Sequence, residues 1–230
     1  MGRLFGTDGI RGIANDFLSC ERALAIGGAL GQILFISNSY RPSVLIGTDT
    51  RISADMLSSA ISAGLLSAGC DVIRVGVLPT PALAYLVKKY DARAAVMISA
   101  SHNPYEYNGI KIFGRDGFKL SDEIEEQIES IVLNGAVMAK LEPNAIGRLF
   151  SKPDAKEDYI DYLVKACDTP LDGLKIAIDA ANGAASATAK ALFEKLGADA
   201  SILFDSPDGT NINKMCGSTS LDFLEAIRYL

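Results

Sequence analysis

Residues 98–104 read ISASHNP and set the chain's only histidine, His102, between Ser101 and Asn103. A serine beside a histidine could be a nucleophile with its base, or a turn in which Ser and Asn bond nearby backbone and Pro104 ends a strand. The spacing alone favours the turn. A Ser-His-Asp hydrolase is the sharper alternative, but the sequence has no GxSxG elbow, and adjacent side chains on extended backbone point apart. Other loops carry related chemistry: FGTDGIRG with Thr7, Asp8 and Arg11, GTDTR with Asp49 and Arg51, and DAANG from Asp179. Together with Lys111, they supply the cations, hydroxyls and amides that hold phosphates. Singly, each has a plainer reading. GTDGIRG could be a tight glycine turn with a surface arginine, and DAANG a strand end turning on Asn182-Gly183.

The surrounding pattern says what would bring these loops together. From residue 43 short β-branched runs alternate with longer helical ones: SVLIG, ADMLSSAISAGLLSAG, DVIRVGV, PALAYLVKKY, ARAAVMIS. This is the signature of a largely parallel sheet with helices on its faces. In such sheets ligands collect at the carboxyl ends of strands. GTDTR follows SVLI, SASHNP follows AVMI and DAANG follows KIAI, so all three loops fall at that end. After the serine loop come a short strand, GIKIF, a turn, GRDG, and a helix that Ser121 can cap. Its acidic run, Glu125, Glu126 and Glu129, reads as a solvated face. Gly27, Gly28 and Gly31 lie inside a helical run without GxGxxG spacing, which points to close helix packing.

Periodicity fades between about residues 134 and 153, where Gly135, Pro143, Gly147 and Pro153 punctuate the text, and the domain boundary is expected there. A second α/β series follows: DAKEDYIDYLVKA, LKIAID, ASATAKALFEKLG, ASILF, and a helix LDFLEAIRYL running to Leu230. That series looks unfinished, with no strand for its last helix to lead into. The net charge of −6 argues against a nucleic-acid partner, which would need a basic face. Cys20, Cys70, Cys167 and Cys216 show neither metal nor disulfide spacing and read as reduced, mostly core thiols. Without a signal peptide or an apolar run long enough to span a bilayer, the expected location is the cytoplasm, with no membrane partner.

FGTDGIRG at 5–12, IGTDTRIS at 46–53, ISASHNPYEYNGIKIFG at 98–114 and IAIDAANGAAS at 176–186, with the weaker GTNINKMCGST at 209–219, resemble the α-D-phosphohexomutases. Their order and spacing match across essentially the whole chain. The resemblance implies two consecutive three-layer α/β/α domains with mostly parallel mixed sheets, residues 1–150 carrying the serine loop and 151–230 incomplete. By position, Ser101 would be the phosphoserine, with His102 and Lys111 as acid-base and electrostatic helpers and Arg11 holding the phosphoryl region. Thr7, Asp8, Asp49, Arg51 and Asn103 would be supports. The implied substrate is a hexosamine phosphate, glucosamine 6-phosphate becoming glucosamine 1-phosphate through a bisphosphate that turns round in the site, on the way to cell-wall precursors. Mannose or glucose phosphates, or a non-catalytic sugar-phosphate-binding role, are the alternatives. Mg²⁺ would be bound through the Ser101 phosphate and three aspartates of a DGDxDR-like loop that these residues do not contain. The complete enzyme could be a homodimer. The chain is therefore expected to be an N-terminal portion with no mutase turnover by itself.

Overall fold

The computed structural model describes residues 4–36, 40–135 and 141–222. In chain order its elements are β1 (Ile10–Ile13), α1 (Cys20–Ile36), β2 (Ser43–Thr48), α2 (Ala54–Ser67), β3 (Asp71–Val77), α3 (Thr80–Lys89), β4 (Ala94–Ile98), β5 (Tyr107–Gly114), α4 (Asp122–Leu133), β6 (Leu149–Ser151), α5 (Ala155–Ala166), β7 (Lys175–Asp179), α6 (Ala189–Lys195) and β8 (Asp199–Leu203). The expected last helix, LDFLEAIRYL, falls almost wholly outside the described residues.

Six strands form one sheet in the order β1-β5-β4-β2-β3-β6, and β7 and β8 pair parallel in a second. The β4-β2-β3-β6 stretch is parallel, whereas β5 and β1 add antiparallel strands at one side. Alternation along the central strands splits the core in two, because successive side chains leave opposite faces. Val44, Ile46, Val96 and Ile98 meet α1, α2 and α4 on one face, while Leu45, Ala95 and Met97 meet α3 and α5 on the other. The result is the expected helix-sheet-helix layering. β6 straddles residue 150 and edges the first sheet, and Ala155 and Tyr159 of α5 fill that sheet's second core, so the change of sheet falls after α5.

α1 and α2 approach closely because their facing surfaces are cut back to glycine. A Cβ on Gly27 would stand 2.3 Å from the Ile61 carbonyl oxygen, and one on Gly64 2.2 Å from that of Leu24.

Four expectations are corrected. The GTDGIRG segment is not only a loop: its second half is β1, the edge strand antiparallel to β5. The acidic run of α4 is a solvated face only at Glu126, which stays exposed. Glu125 is buried and paired with Lys119 at 2.8 Å, and Glu129 Oε2 accepts the N–H groups of Leu4 and Phe5 at 2.9 and 3.3 Å. Helical spacing cannot reveal partners that lie outside the helix. Ser121 occupies the N-cap position of α4 but makes no side-chain cap bond; its hydroxyl bonds instead to Glu123, whose carboxyl is held below its ordinary pKa mainly by that contact. All four cysteines are free, but only Cys70 and Cys216 are buried. No helix of the described residues is long and apolar enough to cross a membrane.

Candidate phosphoryl-transfer site

The serine loop leaves the carboxyl end of β4, a strand buried along its whole length, and turns sharply at Ser101. Ser101 has φ +58, the left-handed region that a side chain with a Cβ occupies at a cost of roughly 1 kcal/mol. The turn leaves Ser101 and His102 exposed. Something must hold it, and the donor is Arg51. This arginine is buried, and every one of its side-chain N–H groups is spent. Nε donates to Asp49 Oδ2 at 2.9 Å; Nη1 donates to the carbonyls of Pro104 and Tyr107; Nη2 donates to those of Ser101 and Asn103 at 3.0 and 2.8 Å. The planar fork suits this cage, and the Asp49 carboxylate compensates its buried charge. Asp49 also accepts the Arg51 backbone N–H at 3.0 Å, closing the GTDTR turn on itself.

The second unit closes on the same loop. Asp179, at the end of β7, accepts the N–H groups of Ala181 and Gly217, each at 2.7 Å. In the DAANG turn the left-handed residues are Ala181 and Asn182, one position earlier than expected. Thr50 Oγ1 donates to the Asn182 carbonyl at 2.5 Å, and Ile52 N–H donates to that of Gly209 at 2.9 Å. Asn213 Nδ2 then donates to the carbonyls of Ser101 and Asn103 at 2.9 and 3.0 Å. Between the units lies a cleft of about 320 Å³ whose lining includes Asp49, Thr80, Ser101, His102, Asp179 and Asn213.

Thr80 also lines a neighbouring cavity of about 250 Å³ that contains Thr7, Asp8 and Lys111. Lys111 is half-buried on β5, and its ammonium is held below the ordinary lysine pKa, first by desolvation and then by the Arg11 charge, with Asp8 and Asp49 opposing. Arg11 pairs with Asp8 at 3.0 Å, and its Nε is buried without a hydrogen bond. In the ladder Arg11 stands opposite Gly109, whose carbonyl accepts the Ser99 N–H, so β1 brings the cation to within one strand of the serine turn. A Cβ on Gly109 would come within 3.2 Å of the Arg11 side chain and 2.6 Å of the Ser99 carbonyl oxygen. Two cations crowded together, one incompletely bonded, form a place where an added anion would be stabilised.

Ser101, His102 and Asp49 thus share one cleft, Thr7, Asp8 and Lys111 share its neighbour, Arg11 stands beside Lys111, and Arg51 and the Asn103 backbone lie beneath the turn. Sequence reasoning assigned no role to Asp179 or Asn213; the only signal for the latter was its place in GTNINKMCGST. Three Asp, Glu, His or Cys side chains do not gather anywhere among the described residues, so their donor set does not suit a divalent metal.

A profile described as phosphoglucomutase/phosphomannomutase, alpha/beta/alpha domain I, matches residues 2–137, and the chain belongs to that family. The phosphoglucosamine mutase of Caldicellulosiruptor saccharolyticus is 52% identical over 228 residues, covering 98% of this chain and 50% of that protein. The phosphoglucosamine mutase of Alkaliphilus oremlandii is 51% identical, covering 99% of this chain and 51% of its own length. Among solved structures, a phosphoglucomutase/phosphomannomutase family protein from Burkholderia thailandensis superposes with a TM-score of 0.74 at 28% identity, covering 90% of this chain and 45% of that one. The chain spans about half the length of the curated relatives it matches.

Proposed function

We propose that the chain supplies the phosphoryl carrier of a phosphoglucosamine mutase, interconverting glucosamine 6-phosphate and glucosamine 1-phosphate. The observation that carries this reading is Ser101 itself: a left-handed, exposed serine at a strand's carboxyl end, pinned from below and facing a cleft beside paired cations. Positioning is most of what phosphoryl transfer asks of a protein.

In the proposed cycle the phosphate sits on Ser101 Oγ. Its P–Oγ bond breaks as a bond forms from phosphorus to a sugar hydroxyl. The hydroxyl proton passes to the His102 imidazole, which hands a proton on to Oγ as the P–Oγ bond breaks, while Lys111 acts as a cation. The bisphosphate so formed turns round and gives its other phosphate back to Ser101. Arg11 and Lys111 offset charge on the transferring oxygens. Thr7 and Asp8 hold Arg11 and Lys111 in place, and Asp49, Arg51 and Asn103 hold the turn. Mg²⁺, which the family resemblance implies, would need carboxylates other than those described, and no step is assigned to it.

Intact-mass measurement tests the carrier role. The parent is expected to carry one phosphate and Ser101→Ala none. A phosphate retained in full on Ser101→Ala would refute it. The 230 residues alone are expected to show no turnover in a coupled assay with glucosamine 6-phosphate, and measurable mutase activity would contradict that.

A further inference from the structure

The serine turn is held twice. Arg51 and Asn213 donate to the same pair of acceptors, the carbonyls of Ser101 and Asn103, at distances between 2.8 and 3.0 Å. Arg51 belongs to the first unit and Asn213 to the second. A carbonyl oxygen has two lone pairs, so the Ser101–His102 and Asn103–Pro104 peptide planes are fully engaged only when the second unit is seated. The acceptor set dictates how Asn213 is oriented: facing two carbonyls, its amide can only present nitrogen. Asn213 is in turn fixed by its own backbone, left-handed at φ +58, with its N–H donating to the Ala181 carbonyl at 2.9 Å.

We propose that Asn213 is a positioning residue for Ser101, locking the left-handed turn so that Oγ is aimed into the cleft only when the two units are closed on each other. This rests on the reading of Ser101 as the phosphoryl carrier. Arg51 alone satisfies each carbonyl once, which keeps the loop folded and the buried charge compensated. The second donor removes the remaining freedom of the two peptide planes about a strained φ. Losing it therefore costs aim rather than fold, and a phosphoryl group displaced by about 1 Å transfers up to about 100-fold more slowly. Asn213 touches neither the phosphate nor the sugar in this scheme, so substrate affinity stays with other residues.

The test is run in an enzyme of the relatives' full length, because the 230 residues alone are expected to show no turnover, with glucosamine 6-phosphate and two substitutions that tolerate positive φ. Asn213→Gly keeps the backbone freedom and deletes the amide; Asn213→Asp keeps the shape but turns oxygens towards the two carbonyls. Both are expected to lower kcat by about 10- to 100-fold with KM within about twofold of the parent, the Asp variant more severely. Thermal melts should stay close to the parent. Parental kcat in both variants, or a rise confined to KM, overturns the proposal. So does loss of fold in both, which would make Asn213 a structural tie. Ser101→Ala, run beside them, separates the two readings: if it too is active, the carrier assignment fails, whereas an inert Ser101→Ala with fully active Asn213 variants removes only the positioning role.

Discussion

Arg51 Nε meets Asp49 Oδ2 at 2.9 Å with both side chains almost wholly buried, an ion pair placed directly under the turn that carries Ser101. Arg51→Lys keeps the charge but replaces a planar five-donor fork with one mobile ammonium. Several of the four loop carbonyls then lose their donor, and Asp49 loses its in-plane partner. The expected cost is about 3 kcal/mol or more, seen as a lower urea midpoint. A midpoint equal to the parent's would show that the cage does not hold the loop.

Gly27 and Gly64 test the helix approach against intrinsic propensity. Alanine is the better helix former by about 1 kcal/mol, so on propensity alone either substitution should stabilise. The added methyl groups would meet backbone oxygens at 2.3 and 2.2 Å, and a backbone oxygen cannot swing aside as a side chain can. Overpacking wins, and Gly27→Ala and Gly64→Ala should each destabilise by about 1–3 kcal/mol in chemical denaturation. Any gain in stability would mean the helices separate freely.

The lowered pKa of Lys111 makes a signed prediction. In the unfolded chain the lysine titrates at its ordinary value, and in the fold it gives up its proton earlier, so between the two the unfolded state binds more protons. Stability contributed by this site therefore rises with pH through that window, and its burial penalty is fully present below it. Lys111→Met should raise the melting temperature below that window and flatten the rise as pH approaches the ordinary lysine value. A melting temperature lowered at neutral pH would show that the ammonium is favourably bound instead.

Glu129 holds the entry to β1 through the N–H groups of Leu4 and Phe5. Glu129→Ala strips the acceptor from two buried donors, at about 1–3 kcal/mol for each left unsatisfied, while Glu129→Gln keeps an oxygen there. Amide exchange across residues 4–11 should accelerate markedly in the alanine variant and little in the glutamine one. Equal exchange in both would place the anchoring elsewhere.

How much of this was legible in the sequence differs by element. SVLIG, DVIRVGV and ARAAVMIS were readable as β2, β3 and β4 because their runs are β-branched and bounded by turn residues, and the same periodicity placed α2, α3 and α4. β1 was not readable: IRGI is four residues with a central glycine, and it is extended only because β5 offers it a ladder. Glu125 and Glu129 read as solvent-facing because helical spacing reports the residues on the same face, not the lysine on a neighbouring hairpin or the amides 125 and 124 positions away.

The amino-acid sequence by itself determined the strand-helix alternation, the polar loops at the strand ends and, through the motifs around Ser101, the family to which the chain belongs. Those properties follow from near-neighbour patterning and from residue type. Only the tertiary structure decided that Ser101 is left-handed, that Arg51 spends all its donors beneath it, and that Asn213 reaches the same carbonyls from 112 and 110 residues away. Hydrogen-bond partners at such separations are chosen by how two sheets and their loops close on each other, and no local pattern encodes that closure.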